Sequence, residues 1–138
     1  MESIAVGDVV LPNKPLSNVE LIEAAKQIKI PSFRGVFLRD TLPGKPKKTE
    51  CAMLNLDDTS GRGTHWVAWY KNGNNKFYFD IYGLLPPVEM LRYLKSPVFY
   101  NTEQVQPKDQ VFCGHLCLYV LKQMTAGMGL QEVINSLY

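Results

Sequence analysis

The dipeptide Asn72-Gly73 is the feature that most restricts how this chain folds, because it separates two β-rich runs. Such a dipeptide between apolar runs is the strongest local signal for a two-residue hairpin loop of type I′. In that register His65 lies directly across from Asp80, with Cβ atoms roughly 5 Å apart. A four-residue loop over 72–75 would instead make the two residues diagonal neighbours on the same face. Either register predicts an imidazole beside a carboxylate.

A carboxylate next to a histidine fixes the imidazole tautomer and stabilises the imidazolium, which is the role of the third member of a catalytic triad. An ordinary cross-strand hydrogen bond between His65 and Asp80 would look identical in the sequence. A nucleophile is therefore needed to favour a catalytic role over a structural one.

Cys113 is the nucleophile candidate, because it opens a run with helical periodicity. The apolar positions of that run are Leu116, Cys117, Val120, Leu121 and Met124. A helix N-terminus stabilises a thiolate through its unpaired N–H groups and the helix dipole. Cys117 falls on the apolar face, so we expect it to be structural, as we do Cys51. A cysteine taken alone is more often a small buried hydrophobe, but a base at His65 reverses that preference.

Periodicity and turn signals predict the remaining elements. They are a helix over 17–29, opened by the Ser17/Glu20 capping box; strands at 33–38, 51–56, 65–71, 76–82 and 98–100; a helix after Pro86-Pro87; the helix from Cys113; and a short helix at 130–137. Residues 1–16 contain Gly7, Pro12 and Pro15, and we predict an extended N-terminal arm there. One helix, then strands, then mainly helices indicates the α+β class.

Composition sets broad limits on the function. The length of 138 residues and the 46% hydrophobic content suit one globular domain over 1–138. A net charge of +2 neither requires nor excludes nucleic acid as a partner. Charged residues interrupt the first 30 positions, so we expect an intracellular protein with no membrane partner. The three cysteines do not form a disulfide framework. We expect no metal ion and no other cofactor.

Five short motifs follow one another along the chain. They are Glu50-Cys51-Ala52-Met53-Leu54-Asn55, Gly63-Thr64-His65-Trp66, Asp80-Ile81-Tyr82-Gly83, Val105-Gln106 and Cys113-Gly114-x-x-Cys117. As a set, they resemble the adenovirus endopeptidase (adenain) family of cysteine proteases, relatives of the ubiquitin-like-protein proteases that process SUMO. The resemblance covers about residues 17 to 126. The chain ends at residue 138, soon after Cys113, which suggests a short relative from another DNA virus or virus-like element.

This resemblance implies a mixed β-sheet packed against a central helix that begins at the catalytic cysteine, with flanking helices. It implies four roles: nucleophile Cys113, base His65, orienting acid Asp80 in a place that adenains often give to Glu, and oxyanion donor Gln106. By residue type alone, Gln104 and Gln110 are as eligible as Gln106. Trp66 is expected to pack around the imidazole and, with Gly114, to be a candidate for contact with substrate.

The expected function is that of a viral-type cysteine endopeptidase that cuts after glycine-containing motifs and matures virion precursor proteins. One alternative is an isopeptidase that acts on ubiquitin or SUMO conjugates. A second is an inactive binding module of the same fold. A third is a zinc site, for which the eligible ligands are Cys113, His115 and Cys117 with Cys51 or His65.

Protein substrates are the main expected partners. Adenain is stimulated by a viral peptide that forms a disulfide with a cysteine between the acidic residue and the oxyanion glutamine. No cysteine lies between Asp80 and Gln106 here, so we expect any activating peptide to bind noncovalently. The family also raises weak DNA binding, for which Lys45, Lys47 and Lys48 form a basic cluster, although a solvated loop is the simpler interpretation of that cluster.

Overall fold

A computed structural model describes residues 4–57, 65–105 and 113–137. In these residues the chain forms strands β1 (Ile4–Val6) and β2 (Val9–Leu11), helix α1 (Asn18–Ile28), strands β3 (Phe33–Leu38), β4 (Thr49–Asn55), β5 (Trp66–Asn72) and β6 (Asn75–Phe79), helix α2 (Val88–Leu94), strand β7 (Phe99–Tyr100), and helices α3 (Cys113–Thr125) and α4 (Leu130–Asn135). Most bounds lie close to the predicted ones. Strand β6 ends earlier than predicted, because the chain turns at Asp80–Gly83.

The main sheet has five strands in the order β3-β4-β5-β6-β7. Its two inner pairings are antiparallel, and both edge strands pair in parallel, which makes the sheet mixed as expected. Strand β4 shows how both faces are covered. Cys51 and Met53 join the core built with α1 and α3, whereas Ala52 and Leu54 join a second cluster with α2. A strand covered on both sides reads as a continuous apolar run, as this one does.

Helix α3 is the central buried helix that the periodicity predicts. Its residues from Cys113 to Leu118 are all buried. A Cβ added at Gly114 would lie 3.1 Å from Leu21 Cδ2 and 3.5 Å from Trp66 Cδ1. Glycine at this position therefore lets α1 and β5 pack closely against the first turn of α3.

Helix α1 begins as its sequence predicts. The Ser17 hydroxyl accepts from the Glu20 N–H at 3.2 Å, and the Glu20 carboxylate accepts from the Ser17 N–H at 3.0 Å. The two bonds form the capping box, which satisfies N–H groups that a helix start leaves unpaired. The helix ends at Lys29, which has left-handed backbone with a φ of 65°.

The N-terminal segment differs from the extended arm expected from the sequence. Strands β1 and β2 pair as an antiparallel hairpin, with Gly7 in the turn at a φ of 59°. Val6 and Leu11 are buried in the main core. His115 Nε2 on α3 also donates to the Pro12 carbonyl oxygen at 2.7 Å. The glycine makes a tight turn instead of interrupting structure, and apolar burial holds the hairpin in place.

The β5–β6 hairpin places its loop one residue later than the type I′ prediction. Asn72 pairs with Asn75, so Gly73 and Asn74 form the two-residue loop. Only Gly73 of these two has positive φ, at 63°, which is the pattern of a type II′ turn. The prediction of Asn72-Gly73 as loop residues is therefore wrong, and the alternative register is right. Continued toward the strand ends, it makes His65 and Asp80 diagonal neighbours.

Two glycines with left-handed backbone provide a matched test of the turn that follows β6. Gly83 has a φ of 69°, and a Cβ there would lie 2.7 Å from the Thr102 carbonyl carbon. Gly73 has a similar φ of 63° but meets nothing within 4 Å. We expect Gly73→Ala to cost roughly 1–2 kcal/mol of unfolding free energy from backbone strain, and Gly83→Ala about 1–3 kcal/mol more from overlap with the facing backbone. Urea unfolding measures both, and equal losses would contradict the close packing at Gly83.

Candidate active site

His65 and Asp80 meet at the open end of the β5–β6 hairpin. His65 directly precedes β5, and Asp80 directly follows β6. The His65 Nε2 and Asp80 Oδ1 atoms are 2.8 Å apart, and the Asp80 side chain is fully buried while that of His65 is 13% exposed. The Tyr82 ring stacks on the imidazole with centroids 4.9 Å apart and an interplanar angle of 26°. The imidazole is thus held at its Nε2 atom by the Asp80 carboxylate and on its ring face by Tyr82.

The turn at Asp80 orients the carboxylate. The Tyr82 N–H donates to Asp80 Oδ1 at 3.0 Å, so one oxygen accepts from both the imidazole and the turn. The Gly83 N–H donates to the Asp80 carbonyl oxygen at 2.9 Å and closes the turn. An aspartate that binds the backbone two residues ahead is a common turn device. Here the same bond aims the carboxylate at His65.

Cys113 is the first residue of α3, and its side chain lies beside the strand that follows His65. The Trp66 N–H donates to Cys113 Sγ across 3.5 Å. The second imidazole nitrogen, Nδ1, is buried and makes no hydrogen bond of standard geometry to the described residues. The sulfur is nevertheless close enough to affect the imidazole electrostatically. The structure therefore brings His65, Asp80 and Cys113 together.

The environment of His65 favours its charged form. Burial by itself lowers the pKa of an imidazole, but the hydrogen bond to Asp80, followed by the interaction with Cys113, outweighs burial and raises the pKa of His65 from 6.5 to about 9. An imidazolium is thus stabilised at neutral pH between a carboxylate and a sulfur atom. A sulfur atom beside an imidazolium is the arrangement in which proteins activate thiol nucleophiles.

The other two cysteines lie in environments that keep them protonated. Burial, followed by the charge of Glu50, raises the pKa of Cys51 to about 12. Burial also raises the pKa of Cys117 well above its ordinary value. Their thiols donate to backbone carbonyl oxygens, Cys51 to Pro31 at 3.5 Å and Cys117 to Trp66 at 3.4 Å. Both are core residues, in agreement with the prediction, so Cys113 is the cysteine with a basic neighbour.

The proposed roles of Gln106, Trp66 and Gly114 stay predictions. Gln106 lies outside the described residues, and its role as oxyanion donor stays a prediction. Val105, the described residue that precedes it, donates its N–H to the Ile81 carbonyl oxygen at 2.7 Å. Trp66 and Gly114 are buried between β5, α1 and α3. Their contacts are packing contacts within the protein, and a contact with substrate stays a prediction for both.

The residues considered for zinc have separate partners. His115 Nε2 donates to the Pro12 carbonyl oxygen, and the Cys117 thiol donates to the Trp66 carbonyl oxygen. Among the described residues, no group of three His, Cys, Asp or Glu side chains converges in a way that could hold a metal ion. No helix in these same ranges is long and apolar enough to cross a membrane.

The sequence prediction missed two residues of the site. Tyr82 belongs to the motif Asp80-Ile81-Tyr82-Gly83. Its stacking on His65 can be foreseen only in the register that makes His65 and Asp80 diagonal neighbours, because that register places Tyr82 across from His65. Asn101 follows the short strand β7, and its side chain bonds to the backbone of Asp80. No local pattern points to that contact, because it joins positions 21 residues apart along the chain.

Comparison with known proteins bears on the fold. No family model matches the sequence, and no curated protein matches it. Two crystal structures of ASFV pS273R protease, one with selenomethionine, are similar to this chain at 17% identity with TM-scores of 0.64 and 0.63. The match covers 92% of this chain and 63% or 64% of the solved chains. The likeness confirms the predicted α+β fold, and no family is shown by it.

The pKa of His65 predicts a pH dependence of stability. Because the folded-state pKa of about 9 exceeds the ordinary 6.5, protonated His65 contributes its full stabilisation below pH 6.5 and loses it as the pH rises through 9. We expect the wild-type free energy of unfolding to fall by roughly 1–3 kcal/mol over this range because of His65. Urea unfolding at several pH values should show this fall in the wild type and a smaller one in His65→Asn. Parallel pH profiles for the two proteins would contradict the assignment.

Proposed function

We propose that the chain is a cysteine endopeptidase with Cys113 as nucleophile, His65 as acid and base, and Asp80 as the residue that orients the imidazole. The observation that carries this proposal is the 2.8 Å contact between His65 and Asp80 beside a cysteine that opens a buried helix. A nucleophile, a base and an orienting group in this order are the recurring design of covalent hydrolysis. The fold shared with a protease supports the same conclusion.

The proposed acylation step starts from a Cys113 thiolate beside the His65 imidazolium. The Cys113 thiolate attacks the scissile carbonyl carbon, and the carbonyl electrons move onto the oxygen to give a tetrahedral oxyanion. When the C–N bond breaks, His65 gives its proton to the leaving amine and becomes neutral. Asp80 stabilises the imidazolium before this transfer and holds Nε2, so that Nδ1 is the nitrogen available to sulfur and leaving group.

Deacylation reverses the role of the imidazole. Neutral His65 takes a proton from water, the resulting hydroxide attacks the thioester, and the Cys113 thiolate leaves. The oxyanion of each step needs donors, for which we propose the Cys113 backbone N–H at the start of α3 together with the Gln106 amide. A donor of this kind is worth about 3 kcal/mol in the transition state.

We further propose that the enzyme prefers glycine just before the scissile bond. Cys113 is only 2% exposed, so the substrate carbonyl must reach a recessed sulfur atom. A residue without Cβ lets the peptide backbone approach most closely. The resemblance to proteases with narrow substrate clefts supports the same preference.

Two substrate classes contain such glycines. Viral precursor proteins are the class that we favour, because the likeness to adenain motifs is greater than that to cellular SUMO proteases. Conjugates of ubiquitin-like modifiers end in a Gly-Gly sequence and are the alternative. Comparing turnover of a Gly-Gly-linked modifier with that of precursor peptides distinguishes the two classes. An inactive binding module of the same fold would turn over neither.

Two accessory partners also belong to the proposal. An activating peptide, if the enzyme uses one, binds noncovalently, as the lack of a cysteine between Asp80 and Gln106 implies. Weak DNA binding would use the lysine-rich loop before β4. Lys71 Nζ donates to the carbonyl oxygens of Lys47 and Lys48 at 2.8 and 3.2 Å, which adds a further cation at the same end of the hairpin.

Peptide cleavage by three variants tests the proposal. We expect Cys113→Ala to abolish cleavage and Asp80→Asn to lower kcat by roughly 10²- to 10⁴-fold, because an asparagine cannot stabilise the imidazolium. Cys51→Ala is the matched control: it removes a buried sulfur far along β4 and should keep wild-type kcat.

A peptide library with each residue varied before the cut measures specificity in the same assay. Wild-type kcat in Asp80→Asn would contradict the triad. Preference for bulky residues at both positions preceding the cut would contradict the glycine specificity while leaving the triad intact.

A further inference from the structure

Asn101 makes an unusual set of contacts with Asp80. Its Oδ1 accepts from the Asp80 N–H at 3.1 Å, and its Nδ2 donates to the Asp80 carbonyl oxygen at 2.6 Å. The same Nδ2 donates to the Glu103 carbonyl oxygen at 3.1 Å. One side-chain amide thus satisfies both backbone groups of the residue that holds the imidazole.

The contact lies where regular pairing between two strands stops. Strand β7 pairs in parallel with β6, matching Tyr100 with Tyr78. Asn101 follows directly, and its side-chain amide makes hydrogen bonds to the Asp80 backbone where a longer strand β7 would use its own backbone groups. Asn101 is 7% exposed and Asp80 is fully buried, so loss of the amide would leave the buried Asp80 N–H without this acceptor and its carbonyl oxygen with the Gly83 N–H alone.

The requirement for asparagine is specific. The position needs one donor and one acceptor at a fixed short reach, and the side-chain amide is the group that offers both. Aspartate lacks the donor, alanine lacks both groups, and glutamine carries both on a chain longer by one methylene.

Two further contacts hold the turn that carries Asp80 against the segment after β7. The Val105 N–H donates to the Ile81 carbonyl oxygen at 2.7 Å. The backbone of Thr102 and Glu103 lies so close to Gly83 that a Cβ would overlap it, at 2.7 to 2.8 Å. The turn over residues 80–83 is therefore in contact with the segment from Asn101 to Val105 through hydrogen bonds and close backbone packing.

We infer that Asn101 is a positioning residue of the catalytic triad, which holds the main chain of Asp80 so that Oδ1 meets His65 Nε2. It acts on the reaction through Asp80 and not by contact with substrate. This inference rests on the proposed function, because it gives a role to a residue of the same site. Its predicted signature is a loss of kcat that depends on the presence of the Asp80 carboxylate.

A double-mutant cycle tests the dependence. We expect Asn101→Ala to lower kcat for peptide cleavage by roughly 10- to 100-fold with little change in KM, and to lower it less than threefold in an Asp80→Ala background. Asn101→Gln, which keeps both polar groups and is the milder change, should fall between wild type and Asn101→Ala. Equal losses in the two backgrounds would overturn the inference.

A matched control separates positioning from general loss of stability. Tyr93 donates to the buried carboxylate of Glu50 at 2.6 Å, beside the apolar cluster that α2 covers. Tyr93→Phe removes that buried hydrogen bond without touching any of the hydrogen bonds that Asp80 makes, so it should lower the melting temperature and leave kcat unchanged. If Tyr93→Phe lowers kcat as much as Asn101→Ala at a similar loss of melting temperature, the positioning role is wrong.

The rate of Cys113 alkylation by iodoacetamide as a function of pH gives a readout that does not need peptidase activity. We expect Asn101→Ala to slow alkylation near neutral pH and to shift the profile in the same direction as Asp80→Ala. An Asn101→Ala profile identical to wild type, while Asp80→Ala shifts, would refute the role of Asn101. If no peptide is cleaved but both variants shift the profile, the proposed function fails and the positioning role stands.

Discussion

The hydrogen bond between His65 and Asp80 is the contact on which the arrangement of the site depends. It joins the first residue before β5 to the first residue after β6, so it depends on the pairing of these two strands along the hairpin. The fully buried carboxylate needs a partner, because an ionised group without one is costly in the interior. The imidazole supplies that partner, and the protein gains an acid–base pair at the edge of its core.

Helix α3 adds sulfur to this pair through packing. Gly114 lets the first turn of the helix approach Leu21 and Trp66, which brings Cys113 within reach of the Trp66 N–H. Burial raises the pKa values of Cys51 and Cys117, and nearby negative charge adds to that rise. Because all three cysteines are buried, the feature that distinguishes Cys113 is the imidazole of His65 beside it.

Local signals in the sequence predict much of this structure, and long-range contacts account for what they miss. The capping box at Ser17 and the period of α3 are contained within single helices, and both predictions are confirmed. The hairpin loop was misplaced by one residue because either loop leaves every side chain on the same face of the sheet, so the alternating pattern cannot choose between them. The hairpin of β1 and β2 and the Asn101 amide depend on partners distant in sequence, which no local pattern encodes. Gln106 lies outside the described residues.

Covalent capture by a substrate-like electrophile tests the central claim most directly. A peptide ending in glycine and carrying a vinyl sulfone reacts with a thiolate only where sulfur, imidazole and peptide-binding surface coincide. Peptide mapping by mass spectrometry should find the adduct on Cys113, with labelling lost in Cys113→Ala and strongly slowed in His65→Ala. An adduct on Cys51 or Cys117, or labelling of Cys113 that is as fast in His65→Ala as in wild type, would contradict the proposed site.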